Sequence, residues 1–387
     1  MVVGAYYPEL AGGSLQCRTL VNALCHRVRF TILTTTRERE LPRLSEVDGV
    51  PVHRVYVDVR MPFTKATGAA RMLALAPPLA ASHDIFHFHG FTEKMLLLLA
   101  AAKVSGRRTI EKMTSLGWDD PIALRSRPLG RVLAAAQARV DRLVAVSPAM
   151  RDRCLQAGVP AAAIAEIPNG VDTARFAPVD GTGRAAARRR LGLPAASTIV
   201  TFVGFWSEEK GAALLFAAWR EARRRTGADM MLVYIGATAA GHAEVDARLV
   251  SAARETIARE GLDARVRFVE RTNDVQSYLQ ASDVFALPST REGMPNALLE
   301  AMAVGLPSIA AAIPGVTDNV IDHAVDGWLI PAGDAAALAD TLALLVARPD
   351  VRVQAGARAR QTIVARFGID AVADRYLALY HELMVRA

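Results

Sequence analysis

The chain has little to hold it together covalently and nothing that marks a membrane span. Only three cysteines occur in 387 residues, Cys17, Cys25 and Cys154. They lack both paired spacing and a neighbouring histidine cluster, so they read as unlinked thiols rather than a disulfide frame or a zinc site. No apolar run reaches the roughly 18 residues that a spanning helix needs, and no basic-then-apolar leader opens the chain. A cytoplasmic protein is the expectation. Aromatics make up 6% of residues and never interleave with the basic clusters, which argues against a nucleic-acid surface. No Asp-x-Asp pair occurs, and Asp119-Asp120 alone is a poor metal signature, so no metal ion or cofactor is expected. Short-period repeats are absent as well.

What is present fits two ordinary domains, because 387 residues that are 52% hydrophobic can bury a core in each. The formal charge of +7 favours anionic surfaces without naming one. Arg125-Ser126-Arg127-Pro128-Leu129-Gly130-Arg131 leads into a helical pattern of Leu129, Val132, Leu133, Ala136 and Val140, suited to the core or to peripheral contact with an anionic membrane. The triplets Arg188-Arg189-Arg190 and Arg223-Arg224-Arg225 read as solvated helix faces.

Short β-like runs alternate with helical segments, the signature of doubly wound α/β domains. The first half offers strands at Val2 to Tyr6, Phe30 to Thr34, Ile85 to His89, Thr109 to Lys112, Leu143 to Val146 and Ile164 to Pro168. The second offers Ile199 to Gly204, Leu232 to Gly236, Val266 to Val269, Val284 to Leu287 and Ser308 to Ala311. Between the halves, Asp172 to Pro194 carries Pro178, Gly181 and Gly183 and reads as the linker. The last helix has Val372, Tyr376, Leu379 and Leu383 on one stripe and so has a face to bury.

Ligands of open α/β sheets gather outside the carboxyl ends of the strands. That rule selects the candidates. Gly12-Gly13 follows the first strand and lets a backbone approach phosphate or sugar. His87 and His89 share one face of their strand, and His89 is nearer its carboxyl end. Lys210 follows the strand that ends at Gly204, near a helix start where a cation could neutralise a diphosphate. Lys112 could supply a further cation but reads better as a salt-bridged residue. Glu292 falls in the loop after Leu287. Pro295 suits the first helical position, and Glu300 lies in the helix, at most about 12 Å from Glu292.

The ordered motifs YYPELAGGS, DIFHFHG, VAVSPAM, IPNGVDTARFAP, VGFWSEEKG, SDVFALPSTREGMPNALLEAMAVGLPSIAAAIPGVTDNVI and DGWLIPAGD closely resemble family 4 retaining glycosyltransferases over most of the chain. The resemblance implies the GT-B architecture, two Rossmann-like domains facing each other across a cleft. It implies an acceptor-side domain over residues 1–175, with helix 367–387 crossing back onto it, and a linker with the nucleotide-sugar domain over 176–366. It implies transfer of a sugar from a nucleotide-diphosphate sugar, with retention, to a saccharide or lipid-linked acceptor, in surface polysaccharide or glycoconjugate synthesis. By the same resemblance His89, Lys210 and Glu292 are catalytic. Gly12, Gly13, Gly204, Phe205, Lys210, Glu292, Gly293, Met294, Pro295, Asn296 and Glu300 bind the donor, Glu292 through the sugar and Glu300 through the ribose. The sequence departs from the family at Phe205, where arginine is usual. That departure keeps a noncatalytic sugar-nucleotide binder in view, and shared architecture keeps an epimerase.

Overall fold

A computed structural model describes residues 1–9, 12–58, 60–238, 245–270 and 272–385. Of the sequence motifs, Leu10 and Ala11 of YYPELAGGS lie outside the described residues, as do Arg386 and Ala387 of the last helix. The chain divides into two compact units, Met1–Gly170 with Ile369–Ala387, and Val171–Gly368.

The first unit holds an eight-stranded sheet among the described residues. Its strands are β1 (Val2–Val3), β2 (Ile32–Thr36), β3 (Leu44–Val47), β4 (Val50–Tyr56), β5 (Ile85–His89), β6 (Arg108–Lys112), β7 (Arg142–Ala145) and β8 (Ile164–Glu166), in the order β3-β4-β2-β1-β5-β6-β7-β8. All pairings are parallel except β3 with β4. That hairpin turns at Asp48 (φ 51°) and Gly49 (φ 77°), left-handed values that Asp-Gly accepts at low cost. On one face the helix Gly12–Leu24 and the terminal helix Ile369–Val385 share a core. Cys17, Leu20, Val21 and Leu24 pack there with Ile110, Val144, Val372, Tyr376, Leu379 and Leu383. The 4-3-4 spacing of the last four residues aligns them on one side of their helix.

The second unit holds a six-stranded parallel sheet among the described residues: β9 (Thr198–Val203), β10 (Met230–Ile235), β11 (Val266–Val269), β12 (Val284–Leu287), β13 (Ser308–Ala311) and β14 (Trp328–Ile330), ordered β11-β10-β9-β12-β13-β14. Strands β9, β10 and β12 are buried almost throughout, which is why they read as continuous apolar runs rather than alternating ones.

Two expectations about the join are corrected. The first boundary falls at Gly170/Val171 rather than 175/176, because the Val171 amide donates to the Phe367 carbonyl and Arg360 donates to the carbonyls of Thr173 and Phe176. The second falls at Gly368/Ile369 rather than 366/367. The stretch read as linker contains the helix Gly181–Leu191, started by the Asp180 side chain on the Gly183 amide and ended at Gly192 (φ 62°). Arg188 is not solvated either. It is 6% exposed, bonds the Ala281 carbonyl at 2.9 Å and pairs with Asp283 at 2.6 Å.

Candidate functional site

Among the parallel strands of each sheet the order reverses once, between β1 and β5 in the first unit and between β9 and β12 in the second. The loops leaving such strands diverge to opposite faces, which opens a crevice at their carboxyl ends. The second unit's candidates all follow β9 or β12.

After β9 the chain turns through Gly204, Phe205 and Lys210 into the helix Ala212–Thr226; after β12 it runs through Glu292, Gly293 and Met294 into the helix Asn296–Ala303. Close approach demands glycine at Gly211 (φ 70°), where a Cβ would sit 2.5 Å from the Pro288 carbonyl oxygen. At Gly236 a Cβ would sit 2.1 Å from the Gly204 oxygen. The two loops are then bound twice. Lys210 Nζ donates to Glu292 Oε1 at 2.8 Å, and Arg291 donates to Glu209 at 2.6 Å. The Thr290 amide also reaches the Glu209 carbonyl at 2.9 Å. Lys210 and Glu292 are only 22% and 11% exposed, so their attraction is less screened than a surface pair's. The Arg291–Glu209 bridge went unread in the sequence, although each member directly adjoins a residue singled out there.

Pro295 is the residue before the helix rather than its first member, and its carbonyl accepts the Leu298 amide at 3.1 Å and the Leu299 amide at 3.2 Å. Met294 is 4% exposed and packs the loop down. Glu300 is one turn into the helix. Its carboxylate makes no hydrogen bond to the described residues, and burial pushes its pKa up to about 7 against the opposing pull of Arg175. A carboxylate held at that cost, facing unfilled hydrogen-bonding positions, can accept from hydroxyl donors.

In the first unit, His89 ends β5 and is 5% exposed, and neither ring nitrogen has a hydrogen-bond partner among the described residues. His87 packs beside it, rings 4.6 Å apart, and its Nδ1 pairs with the Tyr380 hydroxyl at 2.9 Å. Burial lowers both histidines well below the usual imidazole pKa, leaving them neutral. Gly12 and Gly13 open the helix after β1, where a Cβ on Gly13 would lie 3.7 Å from Thr114. Lys112 makes no salt bridge among the described residues. It is 3% exposed, and its ammonium lies 5.9 Å from the centre of the Tyr376 ring. Asp119 and Asp120 are committed to the chain itself. Asp119 accepts the Thr114 and Ser115 amides at 2.8 and 2.9 Å, and Asp120 caps the helix Pro121–Arg125 through the Ile122 and Ala123 amides. All three cysteines are free thiols, and no described helix is long and apolar enough to cross a membrane.

Sequence comparison matches residues 11–175 to Glycosyltransferase Family 4 and residues 197–348 to Glycosyl transferases group 1. The D-inositol 3-phosphate glycosyltransferase of Salinispora tropica is 30% identical over 383 residues, covering 92% of this chain and 77% of that protein. A UDP-Gal:alpha-D-GlcNAc-diphosphoundecaprenol alpha-1,3-galactosyltransferase of Escherichia coli is 30% identical over 57% of this chain and 55% of that protein. Among solved structures, the sucrose-phosphate synthase of Thermosynechococcus elongatus superposes with a TM-score of 0.81 at 22% identity, covering 100% of this chain and 99% of that one. HepE of Anabaena, solved with UDP and glucose, gives 0.78 at 19% identity, covering 98% and 99%. A doubly wound sheet in each unit, family matches in both halves and a relative matched over 92% of the chain together place the chain among the family 4 glycosyltransferases of GT-B fold.

Proposed function

We propose that the chain moves a hexosyl group from a nucleoside-diphosphate sugar to a saccharide or glycolipid acceptor, with retention of configuration and without a required metal ion. The observation that carries this reading is the Lys210–Glu292 ion pair at the switch point of the second sheet. Lys210 is a cation for the leaving diphosphate, and Glu292 is a carboxylate for the hydroxyls of the donor sugar. Phe205 contributes no charge, so Lys210 and the nearby helix start take more of the developing negative charge. Glu300 holds the ribose.

Retention is assigned to a front-face displacement. The bond from the anomeric carbon to the diphosphate oxygen breaks as the acceptor oxygen bonds on the same face, and the leaving phosphate oxygen takes the acceptor's proton. A covalent route calls for a carboxylate beneath the anomeric carbon, and no motif supplies one. Leu129 and Val132, 62% and 53% exposed beside Arg127 and Arg131, support a cytoplasmic chain that touches an anionic membrane surface in surface-polysaccharide or glycoconjugate synthesis. Association with phosphatidylglycerol vesicles that vanishes at high salt is the expected result, and none at any salt would remove the contact.

The deciding experiment incubates the protein with a panel of nucleoside-diphosphate sugars and a mixed glycolipid extract, and reads the anomeric configuration of products by NMR. An α-product from an α-donor is expected. An inverted product refutes the front-face route, isomerised free donor makes the chain an epimerase, and bound but unturned donor makes it a binding protein, the outcome that Phe205 favours.

A further inference from the structure

We propose that Glu209 and Arg291 are positioning residues, an outer ion pair that keeps Lys210 and Glu292 aligned once substrate has drawn those two apart. This rests on the transferase reading and deepens it, by assigning a role in transfer to two residues that touch no reacting atom.

The loops that leave the adjacent strands β9 and β12 each carry two consecutive charged residues, Glu209-Lys210 and Arg291-Glu292. They pair in order. Lys210 Nζ donates to Glu292 Oε1 at 2.8 Å, and Arg291 Nη2 donates to Glu209 Oε2 at 2.6 Å. The two bridges differ in depth, since the Lys210 and Glu292 side chains are 22% and 11% exposed whereas those of Glu209 and Arg291 are both 38% exposed. Backbone reinforces the outer pair. The Glu209 carbonyl accepts the Thr290 amide at 2.9 Å and the Thr290 hydroxyl at 3.3 Å, so the main chain ties the two loops together directly beside that bridge.

Substrate competes for the inner bridge. In the proposed transfer Lys210 turns to the diphosphate and Glu292 to the sugar hydroxyls, so each exchanges its partner for a ligand and their bridge no longer ties the loops. The outer bridge meets no such demand. The Glu209 carboxylate repels a diphosphate, and at 2.6 Å from the Arg291 guanidinium it offsets the pull of that cation on the same ligand. An ion pair more than a third exposed contributes little to global stability. Alignment is a separate matter, because a displacement of about 1 Å at a reacting group can lower turnover by up to about 100-fold.

The test compares wild type, Glu209→Gln, Arg291→Gln and the double variant by turnover, calorimetric UDP titration, melting temperature and amide exchange at Thr290. Turnover is expected to fall about tenfold in each single variant and no further in the double, the coupling that one shared contact produces. UDP affinity should stay within about threefold of wild type, rising in Glu209→Gln, falling in Arg291→Gln and returning in the double, as the net charge does. Melting temperatures should hold within about 3 °C. Thr290 exchange should quicken about threefold in all three variants, the size that an exposed ion pair supports.

Unchanged turnover in both single variants, or losses that multiply in the double, would overturn the proposal. So would a loss confined to Arg291→Gln with UDP bound at least about tenfold more weakly, which makes Arg291 a ligand of the diphosphate. A loss of turnover accompanied by a fall in melting temperature of more than about 5 °C would also overturn it, by making the pair a contact that holds the fold. Should Arg291→Gln not fold, Glu209→Gln carries the same turnover and exchange predictions. Amide exchange needs no substrate, so the two readings fail separately. A wild type that transfers sugar from no donor fails the transferase reading, and Thr290 exchange at the wild-type rate in the variants fails the outer bridge.

Discussion

Lys210 and Glu292 each satisfy the other before any ligand arrives, and this has a consequence for mutation. Glu292→Gln removes the charge that the proposal assigns to the donor sugar and at the same time releases the Lys210 ammonium from its 2.8 Å partner. Transfer should fall by two orders of magnitude or so, whereas UDP affinity should hold or rise, because the freed cation is available to phosphate. Steady-state turnover beside calorimetric titration separates the two effects, and equal losses in both would contradict the assignment. Glu300 allows a pH test. Its pKa of about 7 lies above the ordinary carboxylate value, so the folded state binds more protons than the unfolded one between roughly pH 4.3 and 7. The stability it confers is complete below that window and declines as pH rises through it. Glu300→Gln should therefore raise the melting temperature at pH 8 and not at pH 4. UDP affinity of the wild type should climb from pH 6 to 8 relative to Glu300→Gln, a difference that cancels titration of the ligand itself. Parallel profiles would remove Glu300 from the ribose. The positions of these residues were legible in sequence because Lys210 and Glu292 lie in the loops that leave β9 and β12, and Glu300 lies one turn into the helix that follows β12. The Lys210–Glu292 contact was not, since 82 residues separate the partners and only the adjacency of β9 and β12 joins them.

At the scale of elements, the loops after β9 and β12 work as one body because Gly211 lets them touch. Gly211→Ala would add a Cβ 2.5 Å from the Pro288 oxygen at a φ that disfavours side chains. A loss of about 1–3 kcal/mol in chemical unfolding is expected, with weakened UDP binding because Lys210 is the preceding residue. Unchanged stability and affinity would show that the loops do not need this approach. Strands β12 and β13, buried on both faces, announced themselves as apolar runs and carry the expected bounds, as does the less buried edge strand β11. The β3–β4 hairpin did not, although Asp48-Gly49 is a strong turn signal, because Leu44–Val47 is a half-exposed edge strand with little apolar pattern. The helix Gly181–Leu191 hid for a related reason. Its Arg188 is buried by the Asp283 partner rather than by hydrophobicity, and proline and glycine around Asp180 signal a cap as readily as a linker.

Across the whole molecule, the two units repeat one principle, a sheet whose parallel strands reverse their order once and whose polar candidates follow the carboxyl ends. The second unit was the more readable of the two, because loop, lysine and carboxylates recur as contiguous motifs. The first unit's distinguishing feature, a buried histidine–lysine couple, is assembled by strand register and is visible only once β5 and β6 are paired. The net charge of +7 fits anionic substrates in general without selecting between them.

The central claim is that Lys210 binds the diphosphate of a sugar nucleotide, and the most direct measurement is calorimetric titration of UDP into wild type and Lys210→Ala at equal foldedness. A charged hydrogen bond contributes about 1.5–3 kcal/mol, so Lys210→Ala should bind UDP roughly 10- to 150-fold more weakly, with uridine affinity nearly unchanged. Equal UDP affinity in the two proteins, or no binding in either, would contradict the claim.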